Sequence, residues 1–158
     1  MLDTIALVGA VPPRYGFKGG VVDIDTYFAM ARGGRTGALK DVPAMEMTKW
    51  LDTNYHYIVP ELHASTQFAI SSTKIFDEFA EAKELGVATR PVLVGPVSLL
   101  LLGKEKDGGD VLAHLPALLR VYQEVLVRLA SLGAEWIQID EPALVLALNA
   151  SSPRDKPK

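Results

Sequence analysis

The run PVLVG (Pro91–Gly95) and the run EWIQID (Glu135–Asp140) are separated by a segment that carries one long helical stripe. That arrangement constrains the fold more than any other feature of the chain. Pro91 to Gly95 is short, continuous and apolar, which suits a strand buried on both faces. Between the runs, Leu115, Leu118, Leu119, Tyr122, Val125, Leu126 and Leu129 fall on one helical stripe, which predicts a helix over Asp110 to Leu132. Gly133 is placed to stop it, and Pro116 fits the first turn of its main part. A strand, a crossover helix and a second strand make a parallel unit.

The rhythm extends upstream. Ala44 to Trp50 reads as another strand, so strand candidates begin near Glu46, Val92 and Ile137, about 45 residues apart with a helix in each gap. Ser72 is placed to cap a helix running to Gly86, with Ile75, Phe76, Phe79 and Ala82 on one face. Leu2 to Val11 reads as a short helix ended by Pro12-Pro13. Asp23 to Gly34 reads as a helix capped by Asp23 or Asp25 and stopped by Gly33-Gly34. Tyr15 to Gly20 and Arg35 to Val42 are expected to be loops, and Gln67 to Ile70 extended. Ala143 to Leu148 looks like a helix start beyond the break at Glu141-Pro142. Parallel strands with covering helices imply an α/β fold, either a doubly wound sheet or a (β/α)8 barrel. Eight units at this spacing would need well over the ~250 residues of a typical barrel. About three are expected here.

The 158 residues, 49% apolar and 22% charged, suffice for one domain with a core. A net charge of -3 gives no footprint for nucleic acid or an anionic membrane. The chain has no cysteine, which excludes a disulfide framework, a thiolate nucleophile and a thiolate metal site within it. Its start lacks the basic and apolar regions of a signal peptide. The apolar stretch from Val92 to Leu102 is interrupted by Gly95-Pro96 and falls short of the ~20 residues of a membrane span. A cytoplasmic protein is expected. Residues 149–158 are polar and proline-containing and are expected to be disordered, leaving 1–148 as the folded part.

In parallel α/β folds function collects at the carboxyl ends of strands. Three polar clusters fall there: Lys49, Trp50, Asp52, Asn54, Tyr55 and His56; then Gly95, Pro96 and Ser98; then Asp140 and Glu141. Lys49 can hold a carboxylate or phosphate as a point charge, or be an ordinary solvated lysine. Asp52 and Asn54 suit a turn fixed by side-chain to backbone bonds. His56 is the best titratable candidate, against a structural role between two tyrosines. Asp140 and Glu141 are possible rim residues, as base and binder or as hard-metal ligands, provided the strand has ended before Pro142. No catalytic residue is assigned. His56, His63 and His114 lack zinc-site spacing, and no phosphate loop, dinucleotide glycine pattern or GxSxG elbow is present. Gly108-Gly109 before a helix is read as a surface loop.

Longer motifs carry a resemblance. VDIDTYFAMARGG, VPAMEMTKWLDTNYHYIVPEL, TRPVLVGPVSLLLLGK and EWIQIDEPALVL resemble the N-terminal barrel of the cobalamin-independent methionine synthases, over about Leu2 to Leu148. The resemblance implies a fragment of one of two face-to-face (β/α)8 barrels, a partial barrel of about three βα units. The family's C-terminal barrel holds zinc through Cys, His and Glu. There zinc activates the homocysteine thiol toward the methyl group of 5-methyltetrahydropteroylpolyglutamate. It further implies that Lys49, the lysine of MTKW, contacts the folate glutamate tail. No cofactor is expected in this chain, since zinc belongs to the other barrel. The departures are a first βα unit, later strands and the zinc barrel, none of which is matched. Leu51 stands where the family usually has Phe, and NASSPRDKPK departs from the family's continuing helix. Open sheet edges imply self-association. Two other readings remain: a truncated, non-catalytic paralogue acting as a binding or interaction module, and a related barrel enzyme using Asp140 and Glu141 in acid/base chemistry.

Overall fold

A computed structural model of the chain describes residues 1–146. In chain order it contains helix α1 (Leu2–Leu7), helix α2 (Ile24–Arg32), strands β1 (Met47–Lys49), β2 (His56–Ile58) and β3 (Glu61–Leu62), helix α3 (Lys74–Glu84), strand β4 (Val92–Val94), helix α4 (Pro96–Leu101), strand β5 (Lys104–Glu105), helix α5 (Leu115–Ser131) and strand β6 (Gln138–Asp140). Short 3-10 turns cover Pro13–Tyr15, Gly37–Leu39, Val111–His114 and Pro142–Val145. The class is α/β.

The strand–helix–strand unit inferred from PVLVG and EWIQID is present. β4 and β6 pair in parallel, Val92 opposite Gln138, Leu93 opposite Ile139 and Val94 opposite Asp140, with α5 in the crossover. β3 and β5 form a second parallel pair, Glu61 opposite Lys104 and Leu62 opposite Glu105. Among the described residues the strands form two-stranded pairs with no ladder joining one pair to the next.

The expected parallel strand at Ala44 to Trp50 is corrected. Met47–Lys49 pairs antiparallel with His56–Ile58, Lys49 opposite His56, as one arm of a hairpin. The turn between them sends the chain back beside itself, and an antiparallel partner seven to eleven residues away in sequence forms at little loop-closure cost. The parallel strand of this region is β3, just beyond the hairpin. The helix expected to run to Val11 stops at Leu7. Gly9 has φ 68°, and a Cβ there would meet Ser71 Oγ at 2.6 Å, so the chain turns before the proline pair. The carbonyls of Leu7 and Val8 then accept the amides of Ser71 and Ala69, which places the extended 67–70 segment against this turn.

PVLVG is buried on one face only: Leu93 is 4% exposed, whereas Val92 is 52% exposed. The other corrections are local. The segment from Asp110 begins as a 3-10 turn, because the Asp110 carboxylate accepts the Leu112 amide at 2.9 Å, and becomes α-helical at Leu115. Its buried stripe is Leu118, Val121, Tyr122, Val125 and Leu129; Leu119 lies outside it, exposed. α2 is capped by Asp23, whose carboxylate accepts the Thr26 amide at 2.7 Å, and stopped by Gly33 at φ 80°. The helix start expected from Ala143 is a single 3-10 turn, Pro142–Val145. Its continuation to Leu148 and the tail 149–158 lie outside the described residues.

The core joins α1 (Ile5, Leu7), Met30 of α2, Leu62 of β3, Phe76 of α3, Leu93 of β4, Leu99 and Leu100 of α4 and the α5 stripe. α4 packs on both α5 and the Pro142–Val145 turn, which fixes the carboxyl ends of β4 and β6 relative to each other.

Candidate functional site

Lys49 is the last residue of β1, exposed and opposite His56. The turn beyond it is built by Thr53. Its amide donates to the Trp50 carbonyl at 3.1 Å, its hydroxyl donates to the same carbonyl at 2.6 Å, and its Oγ1 accepts the Tyr55 amide at 3.2 Å. Asp52 and Asn54, the residues expected to fix this turn, flank the one that does: the β-hydroxyl between them performs it. Leu51 takes up the reversal with φ 51°, a conformation uncommon for a branched side chain.

Two anchors brace the hairpin against the β3–β5 region. The Tyr57 hydroxyl donates to the Leu102 carbonyl at 2.9 Å, and Lys104 Nζ donates to both Glu46 carboxylate oxygens at 2.7 Å. The Trp50 and Tyr57 rings meet edge to face at 5.4 Å. Among the described residues no carboxylate lies within ion-pair distance of Lys49. Its ammonium is therefore a solvated point charge on a braced support, able to meet an incoming carboxylate without first breaking an internal pair.

Asp140 and Glu141 diverge. Asp140 ends β6 and is exposed; its side chain accepts Gln138 Nε2 at 2.8 Å, and its carbonyl accepts the Gly95 amide at 2.7 Å. Glu141 turns inward, accepting the amides of Val97 at 3.0 Å and Ser98 at 2.6 Å in the first turn of α4. Those amides lack intrahelical partners, and the carboxylate satisfies both charge-assisted. Ser98 Oγ in turn accepts the Ala143 amide at 3.0 Å. Gly95 is required by contact: a Cβ there would fall inside the Glu141 carboxyl group. Nearby, the Tyr122 hydroxyl donates to the Val94 carbonyl, and burial together with the Glu141 charge pushes its phenol far above the ordinary range. The two acids do not converge on one point.

A third cluster escaped the sequence reading. The Glu61 side chain of β3, 6% exposed, accepts Arg14 Nη2 at 2.9 Å and Arg14 Nη1 on its other oxygen. Burial alone would raise this carboxyl, but the hydrogen bonds and charge of Arg14 outweigh it and hold Glu61 below its ordinary value of 4.5. Forty-seven residues separate the partners, so no local spacing could have revealed them. His114 meets Glu105 at 2.8 Å, and His63 meets Asp107 at 3.2 Å. Among the described residues no three His, Asp or Glu side chains are placed to hold a metal ion, and no helix is long and apolar enough to cross a membrane.

Parallel strand pairs with crossover helices, a glycine–proline helix start clasped by a glutamate from the next strand, and polar loops beside the strands define an α/β protein of repeated strand–helix units. The whole of residues 1–156 matches the family model described as the cobalamin-independent synthase, N-terminal domain, and the chain belongs to that family. It is similar to the 5-methyltetrahydropteroyltriglutamate–homocysteine methyltransferase of Parvibaculum lavamentivorans, 60% identical over 151 residues covering 95% of this chain and 20% of that protein. It is also 56% identical over 152 residues to the methyltransferase 1 of the same name from Arabidopsis thaliana, covering 94% of this chain and 19% of that one. With the Mesembryanthemum crystallinum protein of that name the identity is 54% over 154 residues, 95% of this chain and 20% of the relative. The chain thus spans about a fifth of the length of these curated relatives.

Proposed function

We propose that the chain contributes part of the folate-binding half of a methionine synthase that uses no cobalamin. In this reading residues 1–148 are a portion of a (β/α)8 barrel, and the pairs β3–β5 and β4–β6 are segments of its wall. The methyl transfer from 5-methyltetrahydropteroylpolyglutamate to homocysteine, and the zinc that activates the thiol, belong to residues outside this chain. The chain itself acts in binding, in the cytoplasm, and carries out no methyl transfer alone.

The observation that carries the reading is Lys49: an exposed ammonium on a hairpin braced at Tyr57 and Glu46, with no acidic partner among the described residues. The substrate for which the relatives are named ends in three glutamates, a flexible polyanion that a fixed cation can capture. Support also comes from the β4–β6 pair, where Val92 on one face and Ile139 on the other both stand exposed, as barrel segments would without their neighbours. The same open edges lead to concentration-dependent association, which sedimentation velocity measures. The binding reading is tested by titrating the chain with methyltetrahydropteroyl mono- and triglutamate. Tighter binding of the triglutamate, lost in Lys49→Ala, supports it; equal binding of the two, or an unaffected variant, ends it.

A further inference from the structure

Around α2 the structure contains a cavity of about 760 Å3, within the size range of small-ligand sites, roughly 300–1,000 Å3. Its walls carry Lys18 from the loop before α2, Arg32 from the last turn of α2 and Arg35 from the loop after it. Among the described residues none of these three has an acidic partner within ion-pair distance. Of the acids lining the same space, Asp23 is occupied as the α2 cap, which leaves Asp25. Arg14, on the same wall, is already bound to Glu61. Phe17 and Phe28 supply apolar lining.

The cations flank a helix of nine residues, a length on the order of 13 Å. Positive charge spread over that distance matches carboxylates strung along a chain better than one compact anion. The cavity is also tied to the hairpin. Glu61, which holds Arg14, also lies close enough to the Glu46 backbone to feel it electrostatically, and Glu46 precedes Lys49 by three residues, roughly 10 Å of extended strand. From these features we infer that the cavity is a second anion site, which takes the outer glutamates of a polyglutamate tail longer than three, with Lys18, Arg32 and Arg35 as its contacts. The inference rests on the polyglutamate reading of Lys49 and extends it.

Calorimetric titration of the whole chain with pterin-free γ-linked tri- and hexaglutamate, and with tripolyphosphate as a compact anion, tests it. The hexamer is expected to bind about tenfold tighter than the trimer through the added contacts. Arg32→Gln with Arg35→Gln removes that advantage, while Lys49→Ala weakens both peptides by a similar factor. Lys18→Gln, on a different loop, lowers the same ratio and serves where the double variant fails to keep its far-UV circular dichroism. An unchanged hexamer-to-trimer ratio in the folded arginine variant overturns the inference, as does tripolyphosphate binding as tightly as the hexamer. Loss of the ratio in the arginine variant with no effect of Lys49→Ala leaves the cavity site standing and removes the Lys49 reading instead.

Discussion

Glu141 and Ser98 hold each other's segments in place: the Glu141 carboxylate accepts the Ser98 amide at 2.6 Å, and Ser98 Oγ accepts the amide of Ala143, two residues beyond Glu141. This clasp joins the carboxyl end of β6 to the first turn of α4 across more than forty residues of sequence. It also decides which of two adjacent acids faces outward.

The clasp is expected to contribute to stability. Glu141→Ala leaves the Val97 and Ser98 amides without their charged acceptor and costs about 2 kcal/mol. Gly95→Ala drives a methyl group into the carboxyl of Glu141 and costs about 1–3 kcal/mol. Because both changes act on one contact, the double variant loses less than the sum of the singles. Urea unfolding of the four proteins measures the coupling, and strict additivity would contradict the contact.

Arg14 and Glu61 set an acid limit. The folded carboxyl titrates below its ordinary value of 4.5, so the pair's contribution is present in full above that pH. It falls away as the pH drops through the lower folded value, where the native state must take up a proton it binds poorly. Thermal midpoints measured from pH 6 to pH 3 should fall more steeply for the native sequence than for Glu61→Gln. At neutral pH, Arg14→Ala strands a buried carboxylate and costs about 3 kcal/mol.

Tyr57→Phe removes the hydroxyl that donates to Leu102 and should cost about 1 kcal/mol. Thr53→Ala loosens the turn by a similar amount. Lys49→Ala, at an exposed position, changes stability by less than about 0.5 kcal/mol. In the binding reading, all three weaken triglutamate capture, the first two by loosening the support of the cation. Amide exchange across residues 47–58 separates the cases, rising in the Tyr57 and Thr53 variants and unchanged in the Lys49 variant.

An alkaline limit comes from Tyr27, whose hydroxyl donates to Asp3 at 2.6 Å. Burial, with that hydrogen bond and the Asp3 charge, pushes its phenol from 10.0 up to about 12. The stabilisation is complete below pH 10 and is lost as the pH rises toward 12, because the unfolded phenol ionises first. Tyr27→Phe should therefore flatten the fall in thermal midpoint over that window; an unchanged slope would count against the assignment.

Much of the architecture was legible in the residues. Asp23 and Gly33 bound α2, Gly133 follows α5, and the apolar runs at Val92 and Gln138 pair in parallel, because caps, stops and periodicity act through near neighbours. The hairpin was not legible. A three-residue strand carries no mark of its partner's direction, and Thr53 is masked in the sequence by the two better-known turn formers that flank it. The site was legible only as far as residue type: Lys49, Asp140 and Glu141 were identifiable as polar groups near strand ends.

What those groups face was decided by tertiary structure. Local steric and solvation preferences write the elements into the chain. The division of labour between Asp140 and Glu141, the burial of Glu61 beneath Arg14 and the bracing of Lys49 through Tyr57 each depend on segments tens of residues apart. Their energies exist only once packing has brought the partners within hydrogen-bond reach, so no spacing in the sequence encodes them.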